Sequence, residues 1–411
     1  MVATTTDTPV GTGAPVRCST THRALVEALN AVSMAVPART PVPELRGVLV
    51  EAGADGVVLR AYDRETAVTV RTDAEPGGEG RSLLTHAELK MVLEGAAAGE
   101  SRAAVAAMRV DLADDVLTTP DLAVPLTPLP AGAYPAFPPA ARGGVVVDGQ
   151  EWFRQLARVL PAASPTDSPP GLAAVRFEVK SGGVHMAASD RYRLAVAAVP
   201  AQRGGTTRKR PATALVPARV LTQIARRLEK HDGPVSVGVH TPRGRTRPLV
   251  TFVIGAVEIT VHGADGTLPH PDTLMPAGDS LAVEVDRTAM VRAAKKASAL
   301  AKAKALGVHV VAIAVEQSGE RITLAPRLET AAARARVKGI EVAARTVTGH
   351  DRLEGAPLTV NGGFLLDALD AFAGDTVTLH LRGLREPILL TDGHSPAGTG
   401  YRHLMMPVAA R

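Results

Sequence analysis

Apolar residues recur at helical spacing in six segments of the chain, and these segments fall into three pairs. The pairs are residues 21–36 with 83–96, 149–163 with 215–230, and 287–305 with 358–374. Apolar positions three and four residues apart predict amphipathic helices with one buried face. The apolar stripes of the second helices are Leu89, Val92 and Leu93, then Leu221 and Ile224, then Phe364, Leu365, Ala368 and Leu369.

Between the two helices of each pair, apolar and polar residues alternate, and turns that contain glycine interrupt the alternation. The pattern occupies residues 47–63, 173–190 and 308–326, and it is typical of β-hairpins. Further strands are predicted after the second helix, for example in residues 377–391. Each unit therefore has the predicted order helix, hairpin, helix, hairpin.

This recurrence predicts an α+β chain of three similar domains, each with two helices packed on antiparallel sheets. Segments rich in proline and glycine separate the units at residues 128–144 and 266–279. We therefore predict a disordered tail and three domains, with the boundaries 1–15, 16–142, 143–276 and 277–411. Three unrelated α+β domains are the alternative that the pattern leaves open.

Composition narrows the class of protein. Aromatic residues are only 3% of the 411 residues, so the cores must consist mainly of Ala, Val and Leu. Cys18 is the single cysteine, which excludes a disulfide within the chain and a zinc site with several cysteines. The N-terminal residues lack the basic and apolar regions of a secretory signal, and no apolar run approaches the roughly 18 residues that span a bilayer. We expect a cytoplasmic protein with no membrane partner.

The chain is moderately basic, with 46 Lys and Arg against 41 Asp and Glu and a formal net charge of +5. This balance favours nucleic acid or another polyanion as partner, although an ordinary soluble protein can share it. Basic side chains on helices could contact phosphates without reading bases, and a solvated helix face is the alternative for any single helix. The candidate DNA-binding residues are Arg39, Arg154, Arg158, Arg219, Arg226, Arg292, Lys295, Lys296 and Lys302.

Motifs of known catalytic sites are missing from the sequence. It contains no G-x-x-x-x-G-K-[ST], H-E-x-x-H or G-x-S-x-G, and its twelve histidines show no metal-ligand spacing. We therefore predict a protein that is not an enzyme and has no catalytic residue, metal or cofactor. An enzyme with a convergent catalytic constellation on a repeated α+β scaffold is the alternative.

Four segments carry a resemblance to one family. Residues 186–196, MAASDRYRLAV, resemble the "ATDxxRLAV" strand and turn of the β subunit of DNA polymerase III, the bacterial sliding clamp. Residues 36–50 are similar to the segment after the family's first helix, and residues 268–276, LPHPDTLMP, to its "FPDYxxxLP" linker. Residues 401–408, which end in Met-Pro-Val, resemble the family's terminal "YxxMPM".

The resemblance implies a fold of three similar domains per subunit, with two subunits joined head to tail in a dimeric ring. It implies that the ring encircles double-stranded DNA without sequence preference and tethers DNA polymerase, the clamp loader and repair proteins for processivity. At the dimer interface it implies a contact between the third-domain helix at Leu300 and the first-domain strand at Val124 and Leu126.

The resemblance also implies a hydrophobic pocket that takes short linear motifs of partner proteins. Apolar walls that include a flexible methionine suit varied apolar side chains, and polar edges suit an extended peptide backbone. The pocket residues carried over are Leu172, Ser189, Arg191, Tyr192, Arg193, Leu194, Pro269, Leu274, Phe364, Pro387, Leu404, Met406, Pro407 and Val408.

Several features depart from the family pattern. The chain is basic where clamps are usually acidic, and Arg191 stands where glycine or a small residue is common. Ala409 and Ala410 replace the usual Arg-Leu, and residues 327–337 match poorly. The alternative is therefore a divergent paralogue, of actinobacterial type given the richness in Ala, Arg and Gly. Its peptide or small-molecule pocket would be altered, as in a specialised or drug-insensitive copy that is not the housekeeping clamp.

Overall fold

The computed structural model describes residues 13–54, 56–141, 144–165, 168–202, 211–276, 280–304, 309–316, 318–328, 330–349, 357–394 and 400–408. The greater part of the predicted tail, residues 1–12, lies outside the described residues, as do Ala409 and Ala410. In the described part of the chain, no helix is long and apolar enough to cross a membrane.

The described residues of the first domain form ten strands and three α-helices. The strands are β1 (Arg17–Thr21), β2 (Gly47–Gly53), β3 (Gly56–Tyr62), β4 (Thr66–Thr72), β5 (Ala74–Pro76), β6 (Gly80–Thr85), β7 (Arg109–Ala113), β8 (Val116–Thr118), β9 (Ala123–Pro125) and β10 (Pro128–Leu129). The helices are α1 (His22–Val32), α2 (His86–Ala96) and α3 (Arg102–Ala107).

In the second domain, the residues that the structure describes form eight strands and two long α-helices, followed by a short α-helix in the linker. The strands are β11 (Val145–Val147), β12 (Ala174–Lys180), β13 (Gly183–Ser189), β14 (Arg193–Pro200), β15 (Ala212–Pro217), β16 (Val235–His240), β17 (Leu249–Ile254) and β18 (Val257–His262). The helices are α4 (Gly149–Val159), α5 (Ala218–Leu228) and α6 (Pro271–Leu274).

Eight strands and three α-helices are formed by the described part of the third domain. The strands are β19 (Leu281–Asp286), β20 (Val310–Val315), β21 (Arg321–Pro326), β22 (Ile340–Thr348), β23 (Leu358–Asn361), β24 (Thr376–Leu381), β25 (Ile388–Thr391) and β26 (Arg402–Met405). The helices are α7 (Arg287–Lys304), α8 (Ala331–Ala335) and α9 (Gly362–Ala371).

The six predicted helices are confirmed as α1, α2, α4, α5, α7 and α9, and local caps explain several of their starts. Thr21, Asp148 and Asn361 precede α1, α4 and α9, and each side chain accepts a hydrogen bond from a backbone N–H of the first helical turn. These bonds satisfy amide groups that have no partner inside the helix. The short helices α3, α6 and α8 were not predicted, because four to six residues are too few for a periodic pattern.

The predicted α+β fold with three similar domains is confirmed by the strand order. The first sheet of each domain runs β1-β7-β8-β9, β11-β16-β17-β18 and β19-β24-β25-β26. The second sheet runs β4-β3-β2-β6, β14-β13-β12-β15 and β22-β21-β20-β23. The helix pairs bury their apolar faces against these sheets, as Leu89 and Leu93 of α2 and Leu221 and Ile224 of α5 illustrate.

Neighbouring domains are joined by continuous antiparallel sheet. Strand β18 of the second domain pairs with β4 of the first, with Glu258 opposite Thr69. Strand β26 of the third domain pairs with β14 of the second in the same way, with Arg402 opposite Val196. The last strand of one domain therefore pairs with the strand at the edge of the preceding domain's second sheet, which is the third strand of that sheet in chain order.

Two edges that correspond to these joints have no strand partner within the described chain. Strand β9, the first-domain counterpart of β18 and β26, pairs only with β8. Strand β22, the third-domain counterpart of β4 and β14, pairs with β21 through residues 340–343 and with β19 through later residues. One side of residues 340–343 is therefore open, as is one side of β9.

The third domain departs from the repeat between its second and third hairpin strands. In the first two domains three residues connect these strands, whereas residues 327–339, which include α8, separate β21 from β22. This connection includes residues 327–337, which depart from the family pattern in the sequence analysis.

Candidate functional site

A tight turn between β13 and β14 forms one side of the predicted peptide pocket. The Oδ1 atom of Asp190 accepts hydrogen bonds from the backbone N–H groups of Tyr192 and Arg193, both at 3.0 Å, and the Ser189 hydroxyl accepts one from Arg191. Arg191 lies at φ 80°, in the left-handed region where glycine is favoured. The turn leaves Tyr192 58% exposed.

Arg193 is committed to holding the second and third domains together. Its Nε donates to Asp190 at 2.9 Å, its Nη1 donates to Asp367 of α9 at 2.6 Å, and its Nη2 donates to the carbonyl of Pro161. Its guanidinium also lies 4.2 Å from the ring centroid of Phe364. The side chain is 9% exposed, so it stiffens the pocket wall rather than offering free donors to a ligand.

The C-terminal segment crosses from this turn to the third domain. The Met406 N–H donates to the Tyr192 carbonyl at 2.8 Å. Val408 is then bound twice to Thr359 of β23, through its own N–H at 2.7 Å and through the Thr359 hydroxyl at 2.6 Å. Met406, Pro407 and Val408 are thus held in an extended segment along the junction.

Beneath these segments lies a separate small apolar cluster. Leu194 and Leu404 are buried in it, beside Leu268 of the linker, and Leu172 and Met275 pack against its edge. Above it lie Tyr192, Leu274 and Met406. These are three of the seven large hydrophobic residues that are exposed in the described chain. An apolar floor with exposed apolar rims suits a short peptide with hydrophobic side chains.

The structure brings most of the predicted pocket residues to this junction. Leu194 and Leu404 form the floor, whereas Arg193 and Phe364 form a supporting wall. Pro387 is half-buried directly before β25, which pairs with β26. Pro269 and Leu274 are exposed in the linker, which Arg402 holds to β26 through a 3.1 Å hydrogen bond to Asp272.

Two polar contacts at this junction were not predicted from the sequence. Asp367 was not singled out because its partner Arg193 lies 174 positions away. Glu178 is buried beside Arg176 and Lys180; burial opposes its charge, but hydrogen bonds from these two groups lower the pKa of Glu178 to about 2. The alternation of acidic and basic residues along β12 was the one available signal.

The predicted DNA-binding residues are exposed, with one exception. Arg158 is half-buried, and its guanidinium lies 5.5 Å from the ring centroid of Tyr401, against the C-terminal strand. Arg154 is exposed but paired with Glu151 on its own helix. The others make no side-chain hydrogen bond or ion pair with described residues: Arg39, Arg219, Arg226, Arg292, Lys295, Lys296 and Lys302.

Positive charge is unevenly distributed over the six long helices. Helix α7 carries six Lys and Arg residues and no acidic residue, and α5 carries three Arg residues. In contrast, α9 carries two Asp residues and no basic one, and the first-domain helices balance Arg23 with Glu27 and Lys90 with Glu94. The two long helices of the first domain therefore carry no excess of positive charge.

On α7 the basic side chains lie opposite the core. Arg292, Lys295, Lys296 and Lys302 are exposed, whereas Met290, Ala293, Ala294, Ala297, Ser298 and Ala301 are buried. The helix therefore presents a continuous basic stripe to solvent.

The residues predicted for the dimer interface differ in accessibility. Val124 lies half-buried on the open edge strand β9, and Leu300 of α7 is 54% exposed. Leu126 is 6% exposed and belongs to the main hydrophobic core of its own subunit. Its side chain is therefore occupied within the subunit, which the resemblance alone did not indicate.

Comparisons with known proteins agree with this geometry. Residues 147–270 match the model of the family "DNA polymerase III beta subunit, central domain". The β sliding clamp of Streptomyces coelicolor is 27% identical over 393 residues, which cover 93% of this chain and 96% of that protein. The "Beta sliding clamp homolog GriR" of Streptomyces muensis is 28% identical over 67% of this chain and 70% of its own length.

Solved structures show the same fold. The structure titled "Caulobacter crescentus pol III beta" superimposes with a TM-score of 0.77 at 23% identity, and the match covers 96% of this chain and all of that chain. Sequence matches to clamps along the chain, the central-domain match and a shared fold of three domains agree with one another. Together these findings fit a divergent bacterial β sliding clamp.

Proposed function

We propose that the protein is a sliding clamp: two copies close head to tail into a ring around duplex DNA, and a pocket between the second and third domains tethers partner proteins. This role needs no catalytic residue, because the DNA is held by topology. Weak, sequence-independent contacts to phosphates let such a ring move along the duplex.

The open edges of β9 and β22 carry this proposal. Both joints inside the subunit place the last strand of one domain on the third strand of the preceding one. A second copy, arranged head to tail, offers β22 to β9 in the same relation, and repetition of the joint closes a ring. Strand register in the three domains aligns Ala123 of β9 with Glu258 of β18 and Arg402 of β26. In the ring, Ala123 would therefore lie opposite the partner's Gly339, which is the counterpart of Thr69 and Val196.

The ring joint has fewer backbone donors than the joints within the subunit. The Leu126 N–H donates to Asp115 beside β8, so the nitrogen of Pro125 faces the open edge and has no hydrogen to donate. The next outward amide, that of Thr127, donates to the Glu88 carboxylate at 3.1 Å.

At the position of Thr127, the two joints within the subunit have amides that cross to the neighbouring strand. These are the amides of His262, which donates to Glu65, and of Met406, which donates to Tyr192, both at 2.8 Å. We therefore infer that the joint between the two subunits depends on side chains such as Leu300. This joint should open more readily than the two joints within each subunit.

The experiment for the ring combines mass and topology. Light scattering should give twice the mass of one chain. When a bacterial clamp loader places the protein on a nicked circular plasmid, it should stay bound through gel filtration and be released when the plasmid is cut. A monomer at micromolar concentration, or equal retention on linear DNA, would contradict the proposal.

A second candidate is a clamp paralogue with an altered pocket, which the position of Arg191 favours. A long charged side chain stands at a left-handed turn position on the pocket rim, and one relative is named as a clamp homolog. Clamp-binding peptides and small-molecule pocket ligands should then bind more weakly than to an ordinary clamp, and Arg191→Gly should restore affinity. Equal affinity in the unaltered protein would exclude this candidate.

A further inference from the structure

A second cavity lies at the junction of the first and second domains. Its volume is about 930 Å³. Its apolar wall is formed by Tyr62, Tyr134 and Phe137. The ring centroids of Tyr62 and Phe137 are 5.9 Å apart, and those of Tyr134 and Phe137 are 5.7 Å apart. Prolines of the linker between the domains complete this wall. Tyr134 is fully buried, and its hydroxyl accepts a 2.7 Å hydrogen bond from the Tyr62 N–H, which fixes the linker against β3.

The turn at the mouth of this cavity repeats the turn of the peptide pocket. The Oδ1 atom of Asp63 accepts hydrogen bonds from the N–H groups of Glu65 and Thr66, two and three positions later, at 2.9 and 2.6 Å. In the peptide pocket, Asp190 accepts the equivalent hydrogen bonds from the N–H groups of Tyr192 and Arg193. Arg64 lies at φ 73°, as its counterpart Arg191 lies at φ 80°.

Four lining residues of this cavity are repeat counterparts of residues predicted for the peptide pocket. Strand register relates them in pairs: Tyr62 with Ser189, Arg64 with Arg191, Leu249 with Pro387, and His262 with Met406. The cavity is therefore the same structural site one domain earlier, built from different side chains.

Its charge distinguishes it from the other pocket. Arg64, Arg243 and Arg245 line it, are exposed, and make no side-chain ion pair or hydrogen bond with the part of the chain that the structure describes. Arg247 also lines it but is neutralised by two hydrogen bonds to Glu65, at 2.6 and 3.1 Å. Three guanidinium groups thus surround an aromatic and proline wall without a bound counter-charge.

We propose that this cavity binds an extended acidic peptide segment of a partner protein, with an apolar side chain against Phe137 and the linker prolines and carboxylates on the arginines. Guanidinium groups recognise carboxylates through charge-assisted hydrogen bonds, and the apolar wall accepts an anchor. The volume exceeds that needed for a single small anion. No residue of the six long helices lines the cavity, so duplex DNA held against α7 would not occupy it.

The inference goes beyond the clamp role and rests on it only for the analogy with the first pocket. The test measures fluorescence anisotropy of a labelled peptide in which Asp residues flank one Leu and one Phe, beside a counterpart with every Asp replaced by Asn. Binding should be saturable, should weaken with salt, and should be lost for the Asn peptide.

The variants decide where the peptide binds. Arg243→Ala with Arg245→Ala lies in an exposed turn and should weaken binding about tenfold. The matched control is Arg382→Ala with Arg385→Ala, in the equivalent hairpin of the third domain, and it should change affinity less than twofold. No saturable binding to the unaltered protein, equal binding of the Asn peptide, or a loss confined to the third-domain variant would each overturn the proposal.

A readout of assembly separates this inference from the clamp role. Mass by light scattering and retention on circular DNA should be the same in the Arg243→Ala, Arg245→Ala variant as in the unaltered protein. If the unaltered protein fails those two assays but binds the peptide as expected, the ring is refuted and the peptide site stands.

Discussion

Arg193 of β14 donates to Asp367 of α9 across the junction of the second and third domains, with 2.6 Å between Nη1 and Oδ2. The same guanidinium also binds Asp190, so one buried cation serves two carboxylates on different domains. The junction that carries the candidate peptide pocket is therefore fixed by an ion-pair network as well as by sheet pairing.

Removal of this cation should destabilise the protein. Arg193→Ala leaves Asp190 and Asp367 without their partner, and breaking a largely buried ion pair typically costs several kcal/mol. Because Asp367 is half-exposed, we expect a loss of about 2–3 kcal/mol in the free energy of unfolding, measured by urea denaturation. Arg23→Ala, which removes an exposed pair on α1, is the control and should cost less than about 0.5 kcal/mol. Equal effects of the two variants would mean that the network adds no stability.

The donor missing from the open edge of β9 can be restored. Pro125→Ser supplies an N–H at the proposed ring joint, and a net backbone hydrogen bond is worth about 0.5–1.5 kcal/mol. The dimer dissociation constant should fall roughly threefold to tenfold in sedimentation velocity over a dilution series. Pro128→Ser, on the edge of the other sheet, should leave it unchanged. A weaker dimer in Pro125→Ser would argue against pairing through this edge.

Acid should weaken the fold through a buried histidine. Burial, and then the charge of Arg193, lower the pKa of His403 to about 3. The unfolded chain takes up this proton near pH 6.5, so the stability that the neutral ring contributes is complete above that pH and is lost as pH falls towards 3. The expected loss is up to about 1.4 kcal/mol per pH unit within this window.

The measurement is urea unfolding at a series of pH values between 7 and 4. His403→Gln should remove this part of the pH dependence, because glutamine can still bind the Tyr401 hydroxyl but does not titrate. His240→Gln, at an exposed position, is the control and should follow the unaltered protein. Parallel curves for all three proteins would show that His403 is not the titrating group.

The basic stripe of α7 should account for much of the salt dependence of DNA binding. Replacement of Arg292, Lys295, Lys296 and Lys302 by Gln should make the slope of log affinity against log salt shallower by about 3–4, if each contacts one phosphate. Anisotropy of a labelled duplex measures this slope. Arg243→Ala with Arg245→Ala should not change it, and an unchanged slope in the α7 variant would remove this helix from the DNA contact.

Much of the fold could be predicted from the sequence because its signals are local and repeated three times. The stripe of Leu221 and Ile224 and the glycine turns of the hairpins depend only on neighbours a few residues away. The resemblance carried by four short segments then supplied candidate pocket residues, most of which the structure brings to the junction of the second and third domains. The short helix α8 escaped prediction because five residues show no period.

Contacts between distant residues could not be read in this way. From the sequence, Arg193 was predicted as a pocket residue, Arg158 as a DNA contact and Leu126 as an interface residue. Nothing in the neighbouring sequence distinguishes a free side chain from one that is bound within the fold. In the fold, Arg193 is bound by two carboxylates, Arg158 lies against Tyr401, and Leu126 is in the core.

The sequence by itself determined the three-domain α+β repeat and the resemblance to sliding clamps, because periodicity and short motifs are properties of neighbouring residues. Only the tertiary structure decided which charges remain free, which strand edges remain open, and that Arg64, Arg243 and Arg245 surround a second pocket. Those properties depend on residues far apart in the chain, whose approach is set by strand register and domain packing.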